Sequence, residues 1–133
     1  GVCSDLGFSD NDRRENIRRV AHIAKLLNSQ GLVAICCLVS PLQSMRALAR
    51  SIVGAGLFYE VFVNANLETC MKRDVKGLYA KAELGQLNNL TGFSAAYENP
   101  TDPNLVIFNN SIGVDEAVNM LFTHVAGWLE ISW

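Results

Sequence analysis

Arg13 and Asn16 lie three residues apart in the string DRRENIRR, and on a helix that spacing sets a guanidinium and an amide on one face. Near a helix start, the first unbonded N–H groups add their own attraction for an anion. Such a pair suits a phosphate together with a sugar or base edge. A plainer reading stands beside it: arginines on a surface helix are commonly solvated and paired with carboxylates, here Asp10, Asp12 or Glu15. Ser40 precedes Pro41 at the end of an apolar run. Its hydroxyl either faces a ligand or belongs to an ordinary strand-to-loop turn. Asp74, Lys76 and Lys81 fall in a segment punctuated by Gly77 and Gly85. That segment is either a mobile lid that carries cations onto phosphate or a surface helix with solvated charges. His22 and His124 have no second ligand at metal spacing, so they read as structural and no protein-held metal is expected.

Composition limits what these residues can serve. The chain has 133 residues, half of them hydrophobic, which is about one domain. Eleven basic residues stand against 13 acidic ones, so no general field draws nucleic acid or an anionic membrane, and an anion must be gripped locally. Four cysteines at positions 3, 36, 37 and 70 form no C-x-x-C pair. The two neighbours, Cys36 and Cys37, read as small buried hydrophobes, and the setting expected is reducing and cytoplasmic. The longest apolar run, residues 32–39, is far short of a membrane span. The first residue is Gly1 rather than Met, as in a processed, cropped or fragmentary chain.

The elements that must position the candidates alternate. Ser9 is placed as an N-cap, followed by acidic residues and then Ile17, Val20, Ala21, Ala24 and Leu27 at helical spacing, predicting a helix over residues 10–29 closed by Gly31. LVAICCLV is apolar without alternation and predicts a parallel strand covered on both faces at residues 32–39. A helix over 42–53, a strand over 58–63, a short helix around 67–73, a polar loop over 88–104, a strand at LVIF and a last helix from Val114 to about Leu129 complete the series. Alternation of this kind argues for an α/β layered fold with a parallel sheet. Ligands then bind at the carboxyl ends of the strands, which here are Val39-Ser40-Pro41, Asn64-Ala65-Asn66 and Asn109-Asn110.

The strings DLGFSDNDRRENIRR, LVSP, YEVFV, RDVKGLYAKA and YENP occur in the order and at about the spacing seen in adenylyl-sulfate kinases. The chain resembles that family from its first residues to at least Asn109. The resemblance implies a single partial kinase domain over residues 1–133. Its fold would be the P-loop kinase three-layer parallel sheet, incomplete because the first two strands and the P-loop are not in the sequence. The implied reaction moves the γ-phosphoryl of ATP, with Mg2+, to the 3'-hydroxyl of adenosine 5'-phosphosulfate, a step of sulfate assimilation. It also implies a homodimer, or fusion to or association with a sulfurylase, and no nucleic-acid or membrane partner.

Residue by residue, the resemblance implies that Phe8 stacks on the adenine of adenylyl sulfate while Arg13 and Asn16 hold its phosphosulfate and sugar. Val39 and Ser40 match a substrate loop. Ser40 matches a serine described as a phosphoserine intermediate in some members, although in-line transfer makes it a substrate contact. Lys76 matches a substrate-binding lysine of the lid. Asn89 and Leu90 match a Gly-Phe pair that closes over the nucleotide. The chain departs from the pattern at Cys3-Ser4, Gln43, Ala80 and Asn89-Leu90, and it has no G-x-x-x-x-G-K-[ST] loop. Two readings follow. The chain is the carboxyl-terminal part of a kinase, inactive as it stands, or it is a degenerate module that binds adenylyl sulfate or pairs with an active kinase. Without the neighbouring strand, residues 32–39 and 58–63 should present unpaired apolar edges that make the chain marginal or dimeric.

Overall fold

The computed structural model describes residues 1–129, as α/β structure in two compact units, one formed by residues 1–58 and 81–99 and the other by 59–80 together with the chain from Pro100.

In the first unit, α1 (Asp10–Asn28) begins where the sequence places it. The Ser9 hydroxyl accepts from the Asp12 N–H at 3.2 Å, and the Ser9 N–H donates to the Asp12 carboxylate at 3.3 Å, a reciprocal cap. The helix closes at Gly31, whose φ is 76°. Helix α2 (Gln43–Val53) has Leu42 as its N-cap, which offers no side-chain acceptor. The two helices meet through small residues. Ala21 and Ala24 of α1 and Val53 of α2 are buried together, with Ala34, Ala49, Ile52 and Phe58 packed around them. Ile17 and Met45 are the least exposed of the core side chains, at 2% each.

An arginine–carboxylate network ties the amino-terminal segment to α1. Arg19 reaches the Asp5 carboxylate at 2.6 and 2.8 Å, the Val2 carbonyl at 2.7 Å and Glu15 at 2.9 Å, while Arg18 holds Glu15 through two bonds of 2.7 and 2.8 Å. Hydrogen bonds from Arg18 and then Arg19 hold the Glu15 carboxyl at about 2, against its ordinary 4.5. The folded value lies below the unfolded one, so this stabilisation is complete above about pH 4.5 and is lost as the pH falls towards 2. We expect the denaturation midpoint to drop through that window, and Glu15→Gln to drop less steeply than the parent in low salt. High salt should shrink the difference, because the groups are exposed and screened. Equal slopes for parent and variant would show that the network contributes nothing.

The strand expected over residues 32–39 is not formed. This stretch is extended but carries no ladder bonds among the described residues. Only Ala34 turns into the helix core, while Leu32, Val33, Ile35 and Val39 are more than half exposed. Cys36 and Cys37 are likewise exposed rather than buried, with free thiols. The physical reason is the same for all of them. An apolar run becomes a covered strand only if another strand lies beside it, and the described residues supply none at this edge.

In the second unit, β1 (Val61–Asn64) pairs in parallel with β2 (Leu105–Phe108), with Val61 opposite Leu105 and Asn64 opposite Phe108. The first strand is therefore shorter than residues 58–63 at its start and extends one residue further at its end. Asparagine side chains continue the pairing beyond the ladder. The Asn104 carbonyl oxygen accepts from the Glu60 N–H at 2.8 Å, and that of Asn110 from the Asn66 N–H at 2.9 Å. Helix α3 (Leu67–Arg73) is capped by Asn66, and α5 (Val114–Trp128) follows Gly113. Among the described residues, Leu105 and Ile107 are the buried side chains of this unit. No helix of the described residues is long and apolar enough to cross a membrane.

Candidate functional site

The first unit brings together residues that are far apart in sequence. Arg13 lies in the first turn of α1, placed there by the Ser9 cap. Its Nε donates to the Phe8 carbonyl at 3.2 Å, and its Nη2 donates to the Asn89 carbonyl at 3.1 Å, across 76 positions of chain. The Phe8 ring stays 74% exposed, with the Arg13 guanidinium carbon 6.0 Å from its centroid. Of the two readings of DRRENIRR, the paired-surface one describes Arg18 and Arg19; Arg13 bonds to carbonyls instead. A guanidinium has five N–H donors, and these two bonds leave donors that can meet an anion beside an aromatic face. Asn16 is half-buried one turn further along α1.

Asn89 adopts φ of 61°, the left-handed region. Glycine enters that region without penalty, and asparagine is among the few other residues that do so readily. The resemblance sets a glycine at this position, and asparagine keeps open the backbone course a glycine could take, and with it the carbonyl that Arg13 holds. Leu90 follows in a tight turn: its N–H donates to the Ser94 hydroxyl at 3.0 Å, and its carbonyl accepts from Ser94 and Ala95 at 2.9 and 3.0 Å.

Val39 is exposed and Ser40 half-buried at the end of the extended stretch. A second set of contacts surrounds Ser40. Its carbonyl accepts from Arg46 Nη1 at 2.7 Å, and the next carbonyl, that of buried Pro41, accepts from the Glu98 N–H at 2.8 Å. Arg46 and Glu98 were not singled out by motif chemistry. The only signal for Glu98 was its place in YENP, and for Arg46 its helical distance from Ser40.

Lys76 belongs to the second unit, in the turn between α3 and α4 (Leu78–Glu83), and is exposed. The Asp74 carboxylate organises that turn by accepting from the N–H groups of Leu78, Tyr79 and Ala80 at 2.8, 3.2 and 3.1 Å. Burial pushes the Asp74 carboxyl up, but the bonds from Ala80, Tyr79 and Leu78 together outweigh it and leave the carboxyl lowered. Gly77 takes φ of 63° between them, which leaves Lys76 at the apex of a defined turn. His22 and His124 are exposed on α1 and α5. Among the described residues no group of three or more His, Cys, Asp or Glu side chains could hold a metal ion.

The chain is similar to known proteins over most of its length. Residues 1–108 match the family model for adenylylsulphate kinase. An adenylyl-sulfate kinase of Bacteroides thetaiotaomicron is 45% identical over 130 residues, covering 98% of this chain and 65% of that protein. One of Marinobacter nauticus is 46% identical over 125 residues, covering 94% of this chain and 63% of that protein. The chain thus spans a little under two thirds of the length of these curated relatives. Among solved structures, the Mycobacterium tuberculosis APS kinase CysC, in complex with AMPPNP and APS, superposes with a TM-score of 0.88 at 40% identity, covering 94% of this chain and 73% of that one.

Proposed function

The chain belongs to the adenylylsulphate kinase family and has its P-loop kinase type of α/β fold, and on that premise we propose that it provides the acceptor side of an adenylyl-sulfate kinase. The reaction is transfer of the ATP γ-phosphoryl to the 3'-hydroxyl of adenosine 5'-phosphosulfate, giving 3'-phosphoadenylyl sulfate. The observation that carries this reading is Arg13, which bonds to both Phe8 and Asn89 and so joins three positions assigned to one nucleotide.

In this reading Phe8 offers its exposed ring to the adenine. Arg13 and Asn16 meet the phosphosulfate and the sugar, Asn89 and Leu90 lie over the nucleotide, and Val39 and Ser40 contact it from the substrate loop. Lys76 is assigned to the same nucleotide by resemblance. Ser40 acts as a contact, not as a covalent carrier, because phosphoryl transfer depends on position and charge more than on covalent help. ATP, which supplies the phosphoryl group, arrives with Mg2+; the sequence has no glycine-lysine loop to cradle its phosphates. These 133 residues alone should therefore bind the acceptor and transfer nothing.

The exposed apolar side chains of residues 32–39 support self-association of the isolated chain. Free thiols at all four cysteines suit a reducing, cytoplasmic setting.

Calorimetry with each nucleotide tests the proposal. Adenylyl sulfate should give saturable heat with the isolated chain, and ATP at the same concentrations should give none. Binding of ATP without adenylyl sulfate, or of neither, would overturn it.

A further inference from the structure

We propose that Arg46 and Glu98 are positioning residues that together strap the Ser40-Pro41 loop into its binding shape. The proposal deepens the acceptor-site reading and rests on it.

Ser40 ends a stretch that has no ladder partner among the described residues, so no sheet fixes its backbone. The fixing comes from the other side. Arg46, in the first turns of α2, forks between two carbonyls: Nη1 donates to Ser40 and Nη2 to Glu98, each at 2.7 Å. Its guanidinium carbon also lies 6.0 Å from the centroid of the Tyr97 ring, within reach of cation–π attraction. Glu98 returns the link twice. Its N–H donates to the Pro41 carbonyl at 2.8 Å, and its carboxylate accepts from the Gln43 N–H at 2.6 Å.

That last bond falls where α2 needs one. A helix start leaves four N–H groups without internal partners, and the N-cap Leu42 has no acceptor to offer. A carboxylate there also meets the positive end of the helix dipole. Gln43 adds a longer bond from Nε2 to the Asn99 carbonyl at 3.4 Å. The result is a closed circuit in which residues 40–43 are held to residues 97–99 by both backbone and side-chain bonds. Pro41, with φ fixed by its ring, passes that constraint directly to Ser40.

The test uses the whole chain with Arg46→Ala, Glu98→Ala and Glu98→Gln, reading amide exchange at Gln43 and Glu98 and the affinity for adenylyl sulfate. Glutamine keeps a carbonyl oxygen for the Gln43 N–H and should restore what alanine loses. Both alanine variants should lose protection at those two amides while α1 amides keep theirs, and bind adenylyl sulfate about tenfold more weakly, the loss of roughly one net hydrogen bond. Glu98→Gln should stay within about twofold of the parent.

Unchanged exchange in both alanine variants overturns the strap. Lost protection with unchanged affinity overturns its positioning role. Should the unsubstituted chain fail to bind adenylyl sulfate at all, the acceptor-site reading falls and takes the positioning role with it; binding that no substitution alters sinks the positioning role alone.

Discussion

Arg13→Ala is expected to weaken adenylyl-sulfate binding by about 10- to 100-fold, the range for losing a hydrogen bond to a charged group. The effect should exceed that of any other single site residue, because one guanidinium does two things at once. In the proposed acceptor site it offers donors to the anion, and it holds the Phe8 carbonyl and the Asn89 carbonyl in one place. Removing it costs the contact and also frees two segments that must then be ordered when ligand binds. Arg13→Lys should recover little, since an ammonium cannot fork between two carbonyls in fixed geometry. Titration calorimetry of the two variants beside the parent checks this, with circular dichroism to confirm that α1 persists. Parent-like affinity in Arg13→Ala would remove the central support of the acceptor-site reading.

Ile17→Ala should be the most damaging substitution to stability, at about 2–5 kcal/mol for truncating a large buried aliphatic side chain. Ile17 is 2% exposed and lies on the helix that carries Arg13 and Asn16. Small domains have only about 5–15 kcal/mol of stability in total, so the variant should be partly unfolded at physiological temperature. Ile17→Val, at about 0.5–1.5 kcal/mol, provides the graded comparison. Urea denaturation of the three proteins measures the series. A midpoint for Ile17→Ala indistinguishable from the parent would mean that this side chain anchors nothing.

The helices were legible because their signals are local. Ser9, the acidic first turn and the spacing from Ile17 to Leu27 define α1 nearly to the residue, and LVIF forms the strand it suggests. The stretch over residues 32–39 was misread for an equally physical reason. Hydrophobicity reports a preference for burial, but pairing needs a neighbour, and a neighbour is not a property of the run itself. Cys36 and Cys37 share that error. At the site, helical spacing placed Arg13 and Asn16 on one helix, whereas the bond from Arg13 to Asn89 spans a separation no periodicity reaches. Family resemblance bridged that gap for Asn89 and Leu90. It assigned no role to Arg46 or Glu98, whose significance is visible only when both ends of the circuit are in view.

The uncovered stretch before Ser40 also sets a kinetic order. Eight consecutive residues without charge, proline or glycine match the profile of a segment prone to cross-strand stacking. Whatever strand covers it from the same polypeptide does so at a rate independent of dilution, helped by an effective concentration that is about millimolar for a short tether. A strand from another molecule must arrive by collision, so its rate grows with the square of concentration and its share in proportion to concentration at first. The balance between useful assembly and precipitation is therefore set less by the sequence of this stretch than by how much of the protein is present when it is first exposed.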